Sequence, residues 1–339
     1  MKILLAPISW LYGLVVWMRN RLYDNHILRS SQVSIPTICV GNLAVGGTGK
    51  TPMTEYLVSL LSDKYKVAVL SRGYGRKTTG FRLANQHDTA YTIGDEPMLI
   101  YRHFPKIPVA VCEDRVKGVK NLQQLFPDLQ CVILDDAYQH RKIRCGFYVL
   151  LTPYQCLYVK DHMLPWGRLR DVSGQSLRAN VVVVTKCPEG MQPIDRRVVA
   201  NALHLPSYQQ LSFSQIQYQP IKLHNTPLLV TGIANPQPLY EHLCLLYPET
   251  ELLAFPDHHV FTDKDIEKIV SVAENFQCVV TTEKDYMRLQ NISLPKQLAR
   301  KLHIQPITID FGVDKDAFDR AVLLYVSENN RSKCATSNK

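Results

Sequence analysis

Ala44-Val45-Gly46-Gly47-Thr48-Gly49-Lys50-Thr51 is the stretch on which the reading of the fold turns. Ahead of it, Val33 to Val40 (VSIPTICV) is rich in β-branched residues and runs into Gly41, the pattern of a buried strand. Behind it, Lys50 to Leu61 is amphipathic and reads as a helix. A glycine-rich loop between strand and helix presents successive backbone N–H groups that wrap a phosphate, and the helix N-terminus adds its positive end. Lys50 would reach the β- and γ-phosphates of a nucleotide, and the Thr51 hydroxyl would ligate Mg²⁺. Ala44 stands where the strict motif has glycine. A glycine turn that merely precedes a lysine is the bland alternative, and the strand–helix context argues against it.

Outward from the loop, short apolar runs recur between helical stretches: Val67–Leu70, Pro108–Val111, Cys131–Leu134, Phe147–Leu151 and Val181–Val184. This alternation predicts an α/β fold, a P-loop NTPase-like, mainly parallel sheet with helices on both faces. A second series, Leu228–Thr231, Leu252–Phe255, Cys278–Thr281 and Ile304–Ile309, predicts a smaller C-terminal α/β lobe. Between the two, residues 206–227 are rich in Gln, Ser, Tyr and Pro and read as a linker. The expected organisation is an N-terminal membrane-associating helix (1–28), a P-loop domain (29–205), the linker (206–227), the C-terminal lobe (228–326) and a polar, disordered tail (327–339).

Composition sets the outer limits. With 339 residues, 46% hydrophobic and 20% charged, the chain is long enough for one large or two moderate domains and is neither disordered, collagenous nor coiled-coil as a whole. A net charge of +9 suits an anionic partner without choosing one. Nine scattered cysteines with no C-x-x-C pair exclude a disulfide framework and a zinc spacing, and several lie in apolar runs as small core residues. They fit a reducing compartment.

Ile3 to Met18 carries no charge over sixteen residues and is followed by Arg19-Asn20-Arg21. It falls short of the roughly 18–20 residues needed to span a bilayer, and the basic flank argues against a cleaved signal peptide. On a helix, Leu4, Ile8, Leu11, Val15 and Met18 share one face, with Trp10, Tyr12 and Trp17 available for the headgroup region. This predicts a helix lying on an anionic membrane surface; packing on the domain's own core is the alternative.

Cys131 to Leu134 ends in Asp135-Asp136, an apolar strand delivering two acids beside a phosphate loop, where one can hold Mg²⁺ directly or through water. Gly94-Asp95-Glu96-Pro97, the basic loop Leu70 to Lys77 and Phe255-Pro256-Asp257-His258-His259 say little alone. Thr185-Lys186-Cys187-Pro188 follows a strand but lacks the acid of a guanine-reading element, and the basic residues lack the aromatic interleaving of a nucleic-acid surface. No nucleic-acid partner and no obligate protein partner are expected.

Taken in order, these segments resemble the tetraacyldisaccharide 4′-kinase family of the lipid A pathway. The resemblance rests on Gly41-Asn42 leading into Gly46-Gly47-Thr48-Gly49-Lys50-Thr51-Pro52, then Leu70-Ser71-Arg72-Gly73-Tyr74-Gly75, Gly94-Asp95-Glu96-Pro97, Asp135-Asp136-x-x-Gln139-His140 and Leu164-Pro165-x-Gly167-x-Leu169-Arg170. In the second lobe it adds Gly232-Ile233-x-Asn235-Pro236, Asp257-His258 and Thr282-Glu283-Lys284-Asp285. Ala137 and Asp171 depart from the family's usual glycine and glutamate.

The resemblance implies ATP- and Mg²⁺-dependent phosphorylation of the 4′-hydroxyl of an acylated disaccharide 1-phosphate lipid, giving lipid IVA, at the cytoplasmic face of the bacterial inner membrane. It implies an active site between two lobes, with Asp95 as general base, His258 orienting it and Lys50 on the phosphates. Nucleotide binding would fall to Ala44 through Thr51, and the metal to Thr51, Asp135, Asp136 and Asp171. Arg72, Gly73, Tyr74, Gln139, His140 and Arg170 are the candidate substrate-binding residues, with Arg76 and Lys77 further cations near the 1-phosphate or headgroups. The competing class is a nucleotide-dependent switch or metallochaperone-type P-loop protein, which would need neither the apolar N-terminal segment nor an Asp-His pair in a second lobe.

Overall fold

Thr37–Asn42, every residue of which is buried, is the strand on which the first lobe is assembled. The computed structural model describes residues 5–336 apart from His258 and Asn291. The strand lies inside an eight-stranded sheet whose order is Gln210–Phe213, Val181–Thr185, Phe147–Pro153, Thr37–Asn42, Cys131–Leu134, Val67–Ser71, Val109–Val111 and Arg82–Leu83. All neighbours run parallel except the short last strand. Strand residues alternate between two cores, as a period of two requires. Ile38 and Val40 pack with Met53, Leu57 and Leu61 of the helix Lys50–Ser62, while Cys39 packs on the other face with Leu134, Leu150 and Val182. A sheet buried on both faces explains the continuous apolar runs.

The second lobe is a four-stranded parallel sheet ordered Glu251–Ala254, Pro227–Thr231, Cys278–Thr282 and Leu302–Gln305. Three expectations are corrected. Ile304–Ile309 is two strands, Leu302–Gln305 and Ile307–Asp310, in different sheets, because Pro306 between them cannot donate to a ladder. Residues 206–227 are more than a linker: Gln210–Phe213 extends the large sheet, and Gln215–Tyr218 pairs antiparallel with Ile307–Asp310. The tail expected to be disordered from Ser327 is helical as far as Thr336, in the helix Lys315–Thr336; residues 337–339 lie outside the described residues. Phe318, Val322 and Val326, spaced i, i+4, i+8, are fully buried against the first lobe's core, each contributing about 1.5–3 kcal/mol relative to exposure. The last described helix therefore packs on the first lobe.

The N-terminal helix Ala6–Asp24 docks inside out. Its buried positions are Ser9, Val16, Asn20 and Tyr23, whereas Ile8, Trp10, Leu11, Leu14, Val15, Trp17 and Met18 are 41–72% exposed. Polar bonds hold it: Ser9 Oγ donates to Met163 O (2.6 Å), Tyr12 OH to Arg170 O (3.2 Å) and Asn20 Nδ2 to Asp171 Oδ1 (2.7 Å). Among the described residues no helix is long and apolar enough to cross a membrane. The apolar face is not core; Leu4, expected on it, lies outside the described residues.

Candidate active site

The glycine-rich loop takes its shape from tight contacts on both sides. A Cβ at Gly41 would stand 2.5 Å from Tyr138 Cβ, so only glycine lets the central strand pass beneath the turn that follows Asp135-Asp136. Asn42 Nδ2 donates to Thr48 Oγ1 (2.7 Å), and Thr185 Oγ1 donates to Thr48 O (2.9 Å). Gly46 and Gly49 hold φ of 104° and 89°, the left-handed region that delivers the chain into the helix Lys50–Ser62. Val45 N donates to Arg168 O (2.8 Å), tying the loop to the segment that carries Arg170. Ala44 through Thr51 thus form one phosphate-loop cradle at a helix N-terminus.

The two acids differ sharply. Asp135 is fully buried, its carboxylate accepting from Thr54 Oγ1 (3.1 Å) and Ser71 Oγ (3.2 Å). Burial first, then Glu96 and Asp136, push its pKa up to about 7. Asp136, in the left-handed region at φ 46°, is held by both Nη atoms of Arg170 and lies 4.0 Å from Lys50 Nζ. Burial works to raise its pKa, but Lys50 and Arg170 outweigh it and hold the carboxyl below its usual range.

The donor set fits Mg²⁺. Thr51 Oγ1, in the first turn after the glycine-rich loop, is buried without a hydrogen-bond partner, and burial disfavours the charge of the Asp135 carboxylate. No cluster of three or more His, Cys, Asp or Glu able to hold a metal occurs among the described residues. Mg²⁺ needs none, since it keeps waters and takes ligands from nucleotide phosphates. Asp171, expected among the metal ligands, has one carboxylate oxygen engaged and the other, Oδ2, buried without a hydrogen-bond partner. Its Oδ1 takes Asn20 Nδ2 (2.7 Å) and its own next amide, Val172 N (2.9 Å), so it fastens the N-terminal helix.

Of the expected substrate residues, Arg170 is committed to Asp136 and to Asn42 Oδ1 (2.5 Å). Gln139 donates to Asn42 O (2.6 Å) and accepts from Arg19 at its carbonyl (2.9 Å). His140 is kept neutral: burial, then Arg115, lower its pKa to about 4, with Arg72 among the weaker causes. Arg72 and Tyr74 are exposed, and the backbone at Gly73 and Tyr74 rests on Gly94, immediately ahead of Asp95. Arg76 is taken by Glu113.

Asp95 opens the helix Asp95–His103 and is nearly buried. Its carboxylate receives Arg288 Nη2 (2.5 Å) and Nε (3.2 Å) from the helix Glu283–Leu289 of the second lobe. Two more ion pairs cross the same seam: Glu96 with Lys284 (2.5 Å), and His103 with Glu283 (2.9 Å) while also touching Glu55 (2.9 Å). Arg288 is fixed in turn by Asp285 Oδ1 (3.0 Å) and Gly232 O (3.1 Å). The fully buried Asp285 also accepts from Thr231 Oγ1, Gly232 N and Thr282 Oγ1. His258, the expected partner of Asp95, lies outside the described residues; its neighbour His259 packs at Gly232, with Cβ 3.3 Å from where a Gly232 Cβ would stand.

Glu96, Lys284 and Arg288 are additions to the site that the sequence reading lacks. Burial works to raise the Glu96 carboxyl, but Lys284 and then Lys50 outweigh it and hold it below its usual range, while Glu96 is among the charges that, after burial, raise Asp135.

The family model described as Tetraacyldisaccharide-1-P 4′-kinase matches residues 1–327. Proteins named tetraacyldisaccharide 4′-kinase from Flavobacterium johnsoniae and Parabacteroides distasonis are 43% and 44% identical. The alignments cover 96% and 92% of this chain and 97% and 91% of theirs. A crystal structure of LpxK from Aquifex aeolicus in complex with ATP superposes with a TM-score of 0.75 at 25% identity, covering 96% of this chain and 99% of that one.

Proposed function

The chain belongs to the tetraacyldisaccharide-1-P 4′-kinase family, and from that premise we propose that it transfers the γ-phosphoryl group of ATP to the 4′-hydroxyl of a tetraacyldisaccharide 1-phosphate. What supports the reading is the glycine-rich loop with Asp136 4.0 Å from Lys50 Nζ, together with Asp95 gripped by Arg288 at the seam between the lobes. The P–O bond to the β-phosphate breaks, a bond from the acceptor oxygen to phosphorus forms, and the hydroxyl proton passes to Asp95. Phosphoryl transfer is mostly positioning and charge neutralisation, so a carboxylate fixed by Arg288 orients the hydroxyl as well as taking its proton. Lys50 and the loop amides hold the transferring oxygens. Thr51 and Asp135 would hold Mg²⁺, which neutralises charge on the β- and γ-phosphates. A timing switch is not favoured by the family match, and it leaves the three ion pairs around Asp95 without a task.

The exposed face of the N-terminal helix supports a peripheral attachment to the cytoplasmic leaflet of the inner membrane. Trp10, Leu11, Leu14 and Trp17 would enter the interface, with Arg19 and Arg21 at headgroup level. The acceptor's acyl chains stay in the bilayer, so enzyme and acceptor meet in two dimensions. The test is transfer of label from γ-labelled ATP to tetraacyldisaccharide 1-phosphate in detergent micelles, with Lys50→Ala as control. Labelled lipid that disappears in the control supports the assignment; free phosphate without labelled lipid sinks it.

A further inference from the structure

Lys186 follows the buried strand Val181–Thr185 and holds φ at 56°, a conformation lysine rarely adopts. Strain of this kind persists where the surroundings impose it, commonly at functional positions. Here Thr185 Oγ1 bonds to Thr48 O (2.9 Å) and Cys187 N bonds to Ser214 O (3.0 Å), fixing the backbone on either side. The outcome is a second ammonium over the phosphate loop: Lys186 Nζ lies 3.7 Å from where a Cβ on Gly47 would stand.

The two lysines differ in their partners. Lys50 has Asp136 4.0 Å away. Among the described residues, no carboxylate lies within ion-pair distance of Lys186. Burial lowers its pKa; Cys156 opposes this and Lys284 adds to it. A half-buried cation next to a row of amide donors, with no acid to neutralise it, gains when an anion arrives. We propose that Lys186 is a second cation of the nucleotide site and binds the negatively charged phosphate oxygens of the nucleotide seated on residues 44–51. The inference rests on the reading of that loop as the nucleotide site, so the experiment separates the two.

Calorimetric titration of the full chain with Mg²⁺ and either ADP or pyrophosphate compares wild type, Lys186→Gln, Lys186→Arg and Lys50→Ala, each first shown to melt like wild type. Loss of a charge-assisted phosphate contact is expected to raise both Kd values in Lys186→Gln by about 10-fold or more, and arginine is expected to recover most of that. Kd values for Lys186→Gln within twofold of wild type, while Lys50→Ala weakens ADP, overturn the proposal alone. If Lys50→Ala also leaves ADP binding unchanged, the loop reading fails and Lys186 falls with it. Weaker ADP with unaltered pyrophosphate assigns the contact to the nucleoside and refutes the phosphate role. Should Lys186→Gln not fold, Lys186→Arg carries the test, since a phosphate contact tolerates the guanidinium and a steric role does not.

Discussion

Replacing Arg288 with alanine removes a guanidinium that touches Asp95, Asp285 and Gly232 O at once. Asp285 keeps three other donors, from Thr231, Gly232 and Thr282, so it is not stranded in the second lobe. The stability loss should therefore be that of charged hydrogen bonds, roughly 2–3 kcal/mol, rather than the roughly 3–5 kcal/mol of an orphaned buried charge. Activity should suffer more, because the Asp95 carboxylate loses the fork that fixes it. A displacement of about 1 Å at a reacting group costs on the order of 10² in kcat. Steady-state label transfer to the lipid acceptor, with ATP and acceptor varied separately, should show kcat falling by that factor and the KM for ATP changing little. A lysine at this position keeps the charge but not the fork, so Arg288→Lys should land between wild type and Arg288→Ala. If Arg288 acts through Asp95, adding Arg288→Ala to Asp95→Ala should cost almost nothing further. Losses that multiply in the double variant, or a single-variant kcat within threefold of wild type, would refute the reasoning.

Asp95→Ala should lower kcat by about 10²–10⁴ with ATP KM little affected, and a loss under about tenfold removes it from the proton-transfer role. Trp10→Glu with Leu14→Glu should leave the melting curve unchanged, since both side chains are exposed, yet lower partitioning onto anionic vesicles about 100-fold or more; unchanged partitioning would eliminate the interfacial helix. His103 is hydrogen-bonded to Glu283 and then Glu55, which raise its pKa to about 10. Because that exceeds the unfolded value of about 6.5, its contribution is complete below that pH and is lost as pH rises through about 10. The Tm gap between wild type and His103→Gln should accordingly be widest in mild acid and close in alkali, and a gap independent of pH would contradict the assignment.

The strand–loop–helix at 37–62, the parallel series around it and the acid pair at 135–136 are legible in the sequence because each is a local pattern: period, glycine, charge at a strand end. What escapes the sequence is long-range. Nothing near Arg288 announces that its partner is Asp95, and a Thr-Glu-Lys-Asp run at a helix start looks like capping, which Thr282 and Asp285 indeed provide. Asp171 is expected at the metal from the resemblance alone, and nothing in the local sequence announces its bond to Asn20. The C-terminal helix hides behind its polar residues, although Phe318, Val322 and Val326 carry the signal at helical spacing. Residues 210–218 are masked by composition, since a Gln- and Ser-rich strand at a sheet edge resembles a linker.

Because the last helix packs on the first lobe, the polypeptide crosses between lobes twice, and the crossings pair as Gln215–Tyr218 against Ile307–Asp310. One strand alone would act as a swivel. A hydrogen-bonded ribbon bends across its thin direction far more readily than it slides or twists, because those motions break the ladder. Any relative motion of the lobes would therefore be guided like a door on a strap hinge. Glu283, Lys284 and Arg288 face His103, Glu96 and Asp95 across the seam between the lobes. A two-piece site joined in this way would re-form in register after any opening.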